Sequence, residues 1–436
     1  MIFKKFKGVS TKTEKLDWLL ILSVLTLALM VYARDMSILH LGSMYFVGVI
    51  AIISVLLPYK SLVPFVFFYM GAGVGVNGMA MIPLLGALII KSGSINMRQI
   101  IFPVIILLLE LLSWQTYSFS TEPNRFVVYS LFIVLFFYLL FDEKNDNEEI
   151  RKNVQFYILG VSVAVLIIMI HSASSLGFED IAFGTYRIGG DTGELSAEGF
   201  DGDQYTAMNP NTLAYYSITA IALTLYVKNA FRSIILKTTV LIILGIAGVM
   251  STSRTWLVVI ALTLAIYFLF SKMKGKVGFI VFSVILLIAA AQVANYVDAF
   301  TSRFETRFEQ GTLGEAGGRV DIIKLYNNFL FSNPEYLVFG TGAVYYADVC
   351  GVGLSSHSGA HQVLVCYGFF GVLIYIVAGF IYYRRFCRKN HSKLWNYMPF
   401  IVCFVFDQTV QFLTPATMML PFVACLLPLK LKQYQV

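Results

Sequence analysis

Residues 142–173 read DEKNDNEEIRKNVQFYILGVSVAVLIIMIHSA. A knot of charged and amide residues gives way to an apolar run over 154–173, the length a helix needs to cross a hydrocarbon core, about 20 residues. The same alternation of polar knot and apolar run recurs along the chain. Of its 436 residues, 58% are hydrophobic and 13% charged, with a mean hydropathy of +0.75. A soluble domain carries about 25% charged residues. No period-two alternation of the transmembrane-barrel kind is visible. The chain therefore reads as all-α, a polytopic membrane helix bundle.

Positive charge in the short connections sets the orientation. Lys4, Lys5, Lys7, Lys12 and Lys15 precede an apolar run that starts near Trp18, and no small-residue cleavage site follows it, so we read a retained first helix. Further positive charge sits at Tyr59-Lys60, Lys91 to Arg98, Asp142 to Lys152, Lys228 and Arg232, Lys272 to Lys276, Arg384 to Lys393, and Lys430 with Lys432. Placing all of these in the cytoplasm, with both termini, gives helices near 17–33, 38–58, 99–117, 124–141, 154–173, 209–227, 233–250, 254–271, 277–296, 361–383, 396–412 and 414–430. The glycine-rich stretch 61–90 adds two short helices or a re-entrant pair. The total is about 12 to 14 transmembrane helices. The net charge of +7 lies in these loops and is not a nucleic-acid signal.

The organisation is then 1–171, N-terminal transmembrane helices; 172–208, a first outer loop; 209–295, central transmembrane helices; 296–360, a large outer loop; and 361–436, C-terminal transmembrane helices. The first loop is acidic, with Glu179, Asp180, Asp191, Glu194, Glu198, Asp201 and Asp203 against the single Arg187. Neither loop has the apolar content for a core of its own, so both are expected to fold back over the bundle. Phe300, Arg303, Phe304, Arg307 and Phe308 have the spacing of an interfacial amphipathic helix. Asp321 to Phe331 is helix-patterned, with Ile322, Leu325, Tyr326 and Phe329 on one face, and Asn333-Pro334 ends it.

Three residues stand out. Arg254 opens an apolar run on the outer side, where the positive-inside bias makes a merely snorkelling arginine less frequent. Arg319 follows two glycines, which let backbone approach a ligand or turn sharply. Read alone, it is also an ordinary loop arginine. His357 lies among small residues just before a helix, where an imidazole suits a general base. His357 and His361 stand four apart, as two helix-borne metal ligands would. No glutamate lies between them, Gly359 weakens the helix, and no carboxylate or cysteine completes a set, so no metal and no cofactor are expected. Asp201-Gly202-Asp203 is a tripeptide that chance supplies in any acidic loop. The five cysteines have no metal-ligand spacing. Glu110 and Asp407 fall inside apolar runs, where an acid either lines a cavity or bonds between helices.

Four motifs in the second half carry a family likeness: Asn209-Pro210-Asn211-Thr212-Leu213-Ala214; Ser251-Thr252-Ser253-Arg254-Thr255-Trp256-Leu257; Gly317-Gly318-Arg319 followed by Phe339-Gly340-Thr341-Gly342; and His357-Ser358 with Gln362-Val363-Leu364 and Tyr367-Gly368-Phe369-Phe370-Gly371. In this order, all on the outer side, they resemble the O-antigen polymerase and ligase superfamily, the Wzy and WaaL proteins. The first 170 or so residues resemble that family only in being membrane helices.

The resemblance implies a GT-C-like membrane glycosyltransferase whose donor is a polyprenyl-diphosphate-linked oligosaccharide. Two arginines would engage the diphosphate and a histidine would activate the acceptor hydroxyl. Matched motif to motif, these roles fall on Arg254, Arg319 and His357, with His361 as the lesser candidate for the base. Substrate contacts are expected at Arg187, Asn209, Asn211, His361, Arg303 and Arg307, and glycan stacking at Tyr186, Tyr205, Tyr345 and Tyr346. The expected activity is polymerisation of lipid-linked repeat units at the outer face of a bacterial cytoplasmic membrane. The alternatives are a ligase that hands the finished glycan to a terminal acceptor, and a lipid-linked oligosaccharide flippase. A flippase and a chain-length regulator would be the protein partners of such a polymerase.

Overall fold

A computed structural model describes residues 17–72, 78–114, 123–144, 146–176, 210–251, 253–270, 319–352, 356, 358–388, 394–410, 412–413 and 419–432. Among these the fold is all-α, without a strand. The helices are α1 (Trp18–Asp35), α2 (Ser43–Leu56), α3 (Tyr59–Ala72), α4 (Met81–Ser92), α5 (Met97–Trp114), α6 (Pro123–Leu140), α7 (Asn147–Leu176), α8 (Pro210–Tyr226), α9 (Ile234–Met250), α10 (Arg254–Phe270), α11 (Arg319–Ser332), α12 (Pro334–Phe339), α13 (Tyr346–Val349), α14 (Gly359–Tyr382), α15 (Leu394–Asp407) and α16 (Met419–Leu426). Three spans, Trp18–Asp35, Asn147–Ser174 and Gly359–Arg388, are long and apolar enough to cross a membrane, and several shorter helices are apolar. Large apolar side chains such as Leu22, Ile52, Val55, Ile90, Ile235 and Ile376 are exposed on the outside. This is the build of a helical membrane protein, since a water-exposed surface would not carry such a belt.

The stretch 61–90 forms separate helices, α3 and α4, on either side of 73–77. The helix expected at 277–296 and the amphipathic one at 299–308 lie outside the described residues. α7 starts seven residues earlier than the apolar run that announces it, because Glu148 and Glu149 suit a first helical turn. α11 covers the expected 321–331 and stops before Asn333-Pro334. Its buried side chains are Tyr326 and Leu330, whereas Leu325 is exposed.

α3 is the centre of the bundle: every residue from Ser61 to Ala72 is buried. It packs along α7 at backbone contact. A Cβ at Gly71 would lie 2.6 Å from Val161 N, and one at Gly160 would overlap the Phe68 carbonyl. Hydrocarbon gives no hydrophobic drive for helices to associate, so such close, small-residue crossings provide the van der Waals contact that holds them together.

The positive connections gather at one end. Lys91 Nζ donates to the carbonyls of Ser54, Val55 and Leu57 at the end of α2. Lys144 Nζ donates to Ser92 O and Ser94 O after α4. Lys430 Nζ donates to Leu139 O and Asp142 O after α6, at 3.0 and 2.9 Å. Each lysine thus satisfies orphan carbonyls and meets the negative pole of a helix. Arg385 and Arg98 both pair with Glu143, and Lys60 pairs with Glu149.

Two expectations follow. Gly160→Val should lower stability in detergent by about 3 kcal/mol or more, while Gly245→Ala, with open space at its Cβ, should not lower it; thermal melts of both variants check this. The hydrogen bonds from Arg385 hold the Glu143 carboxyl below its usual range. That staple contributes fully above the ordinary carboxylate range and is lost as pH falls through the lowered value. Glu143→Gln should flatten the acid limb of a stability–pH curve.

Candidate functional site

The end opposite the lysines holds those sequence candidates that lie among the described residues. Tyr226 Oη, at the lysine-side end of α8, donates to Thr263 O late in α10, so Arg254, the first residue of α10, stands at the other end. Arg385, just after α14, pairs with Glu143, so Gly359 and His361 begin α14 at that same other end. Arg319 is the first residue of α11, which packs on α12 and α14. For Arg254 and Arg319 the backbone is described and the side chains are not. Arg187, Asn209, Arg303, Arg307 and His357 lie outside the described residues, as do Tyr186 and Tyr205. Asn211 is half-buried in the first turn of α8, behind Pro210, a residue suited to a helix start.

The Ser-x-Ser-Arg motif has a local cause. Ser251 Oγ donates to Gly248 O at 2.6 Å and accepts from Ser253 N at 3.4 Å. Ser253 Oγ accepts from Trp256 N at 3.4 Å, which caps α10. The indole of Trp256 fills the space a Cβ would need at Gly248. Serines and glycine together fold the α9–α10 hairpin and deliver Arg254 to a helix N-terminus.

The two glycine motifs, 339–342 and 367–371, are joined directly. Gly368 (φ 59°, ψ −164°) breaks α14 and frees carbonyls above it. Thr341 N donates to Val365 O at 3.0 Å and Gly342 N to Cys366 O at 2.8 Å. A Cβ at Gly340 or at Gly368, both at positive φ, would run into the facing backbone. The next two amides, Ala343 N and Val344 N, donate to Glu110 Oε2 and Oε1 at 2.7 and 3.1 Å. Tyr367 Oη donates to Glu110 Oε2 at 3.1 Å and also bonds Tyr129 Oη. Glu110 is fully buried, and these bonds clasp the 341–344 segment to α5.

Around α14's first turn, His361 Nε2 lies 3.0 Å from Asn327 Oδ1 of α11. With the amide oxygen assigned to face the ring, Nε2 carries the proton and Nδ1 keeps a lone pair. Nδ1 is buried with no partner among the described residues. Tyr326 stands edge-on to this ring and stacks on Tyr346 at 5.6 Å between centroids. Tyr346 is buried and its hydroxyl accepts from Ser356 N at 3.2 Å. It is therefore part of the packing, and the expected glycan stacking at Tyr346 is corrected. Tyr345 stands beneath the Arg125 guanidinium, 6.0 Å from its ring centre. Gln362, fully buried, accepts from Phe412 N and Leu413 N at 2.7 and 2.8 Å, which ties the turn after α15 to α14. Asn327 escaped sequence reasoning, and Gln362 and Tyr367 entered it only as motif residues without a role, because their partners are backbone groups or residues far off in the chain.

The chain matches no family model, no curated protein and no solved structure.

Glu110→Ala should cost about 2 kcal/mol or more by stranding two buried N–H groups, with Glu110→Gln intermediate. Hydrogen exchange should quicken at Ala343 and Val344 and stay unchanged in α3 and α7.

Proposed function

We propose that the protein is a glycosyltransferase that polymerises polyprenyl-diphosphate-linked oligosaccharide units at the outer face of the cytoplasmic membrane, with a GT-C-like bundle and both termini inside. The observation that carries this reading is the common placement of three helix starts, those of α10, α11 and α14, at the end away from the lysines. Arg254 and Arg319 are the first residues of two of them, and His361 stands in the first turn of the third. A helix N-terminus favours anions, and an arginine there adds a two-pronged phosphate donor.

In this reading Arg254 and Arg319 grip the diphosphate and stabilise the charge that grows on it as the glycosidic bond breaks. The glycan passes to a sugar hydroxyl whose proton a histidine accepts. His357 holds that role by motif position. His361 has the tautomer for it, with Asn327 orienting its ring, and ranks higher than its place in the sequence motif gave it. No step needs a metal in this scheme. The ligase alternative uses the same groups on a different acceptor. The flippase reading draws on Glu110, Asp407 and the broken stretch near 61–90; of these, Glu110 already accepts from the 343–344 amides and Tyr367.

Purified protein incubated with lipid-linked repeat units in detergent should yield a ladder of longer products. Arg254→Ala, Arg319→Ala and His357→Ala should each reduce elongation by about 10² or more, and His361→Ala tests which imidazole is the base. Arg→Lys at either arginine should recover only part of the activity, since the paired donors are lost. Movement of the substrate across liposomes without elongation refutes the proposal.

A further inference from the structure

A second feature of the molecule shares only the start of α14 with that scheme. Between α6, α14, α15 and α16 runs an apolar cavity of about 350 Å³, walled by Phe136, Val363, Tyr375, Gly379, Phe400 and Phe404 among others. Both halves of α14 line it, Gly359, Ala360 and Val363 before the break at Gly368 and Tyr375, Gly379 and Tyr382 after it. The rim residues Phe404 and Tyr383 are 45% and 48% exposed, so the groove opens sideways, towards the lipid of a membrane.

Its wall is mostly apolar and aromatic, tyrosines included, and among the described residues Asp407 is the one acidic side chain that lines it. Asp407 is 3% exposed, and among the described residues its Oδ1 has no hydrogen-bond partner. Among the same residues its Oδ2 meets Gln408 Nε2 at 3.5 Å. The carboxylate presses on Gly359 so closely that a Cβ there would overlap it. Beside it, Ser358 gives the first turn of α14 no side-chain cap, and the N–H groups of a helix start have no partner within the helix. A buried carboxylate with an empty acceptor position is costly in such surroundings unless a donor arrives from elsewhere.

A carboxylate and a row of amide donors side by side complement a zwitterion. An ammonium group suits Asp407, and a phosphate suits the helix start. A diphosphate head without a cation would face Asp407 as a like charge, so this groove does not suit the glycan donor. We propose that the groove is a binding site for a zwitterionic aminophospholipid. One tail lies along α14, the ammonium pairs with Asp407, and the phosphate sits on the first-turn amides at Gly359 and Ala360. The proposal does not depend on the glycosyltransferase reading.

The test is lipid binding to the full-length protein in detergent, measured by native mass spectrometry with phosphatidylethanolamine and phosphatidylglycerol of identical chains. The expected result is a preference for phosphatidylethanolamine of about tenfold, the size of one charge-assisted hydrogen bond in partly dry surroundings. Asp407→Asn should bring the two lipids to near parity. Gly379→Leu should weaken both, because a side chain there meets no protein atom within 4 Å and projects from a residue that lines the groove. Equal binding of the two lipids by the unaltered protein overturns the proposal. So does an unchanged preference in Asp407→Asn, or tighter binding of a polyprenyl monophosphate that Gly379→Leu abolishes. Should Asp407→Asn fail to fold, the lipid comparison on the unaltered protein and Gly379→Leu still decides the matter.

Discussion

Four consecutive amide groups, Thr341 to Val344, are the interaction on which the outer end depends. Backbone that leaves helical geometry near a membrane must find partners inside the protein. Here the break at Gly368 supplies two carbonyls and Glu110 supplies two carboxylate oxygens. Neither partner suffices alone. The carbonyls exist only because α14 is interrupted, and the interruption is tolerable only because 341–342 occupies them. Glu110 in turn is tolerable in α5 because three donors converge on it. The outer segment, the broken helix and the buried acid therefore form a single unit, and α11, with Asn327 against His361, is held in place through it.

The bundle itself was largely legible. Apolar runs and polar knots placed most helices within a few residues, because insertion into a bilayer is governed by local composition. The errors fall where composition carries no signal. The start of α7 among charged residues follows from helix-start preferences and not from hydropathy. Leu325, expected on the packed face of α11, is exposed, since an amphipathic pattern gives the face but not the element that covers it.

The candidate site was legible in outline and opaque in its contacts. The motif around Arg254 could be parsed as a helix start, and its serines do perform that task. The glycine motifs at 340 and 368 stood in the sequence only as part of a family likeness, and in the fold they face each other's backbone. Glu110 drew notice as an acid in an apolar run, but its main partners are amide groups, which every residue has and no sequence displays. Tyr346 was misjudged for the opposite reason. An aromatic residue in an outer loop looks available for stacking until a neighbour such as Tyr326 is found covering it.

Lys91, Lys144 and Lys430 bear a further consequence. In membrane insertion, lysines are ordinarily regarded as retention signals that decide which way a chain faces. Here each one also closes the end of a helix that it does not terminate in sequence: Lys91 serves α2, Lys144 serves α4 and Lys430 serves α6. Topogenesis and folding thus draw on the same charges. A chain threaded the wrong way would carry these lysines to the far side of the membrane, where pairing with the same carbonyls could still complete the fold. The three lysines are thus already engaged once the helices have locked, and only an open bundle has them free to influence its orientation.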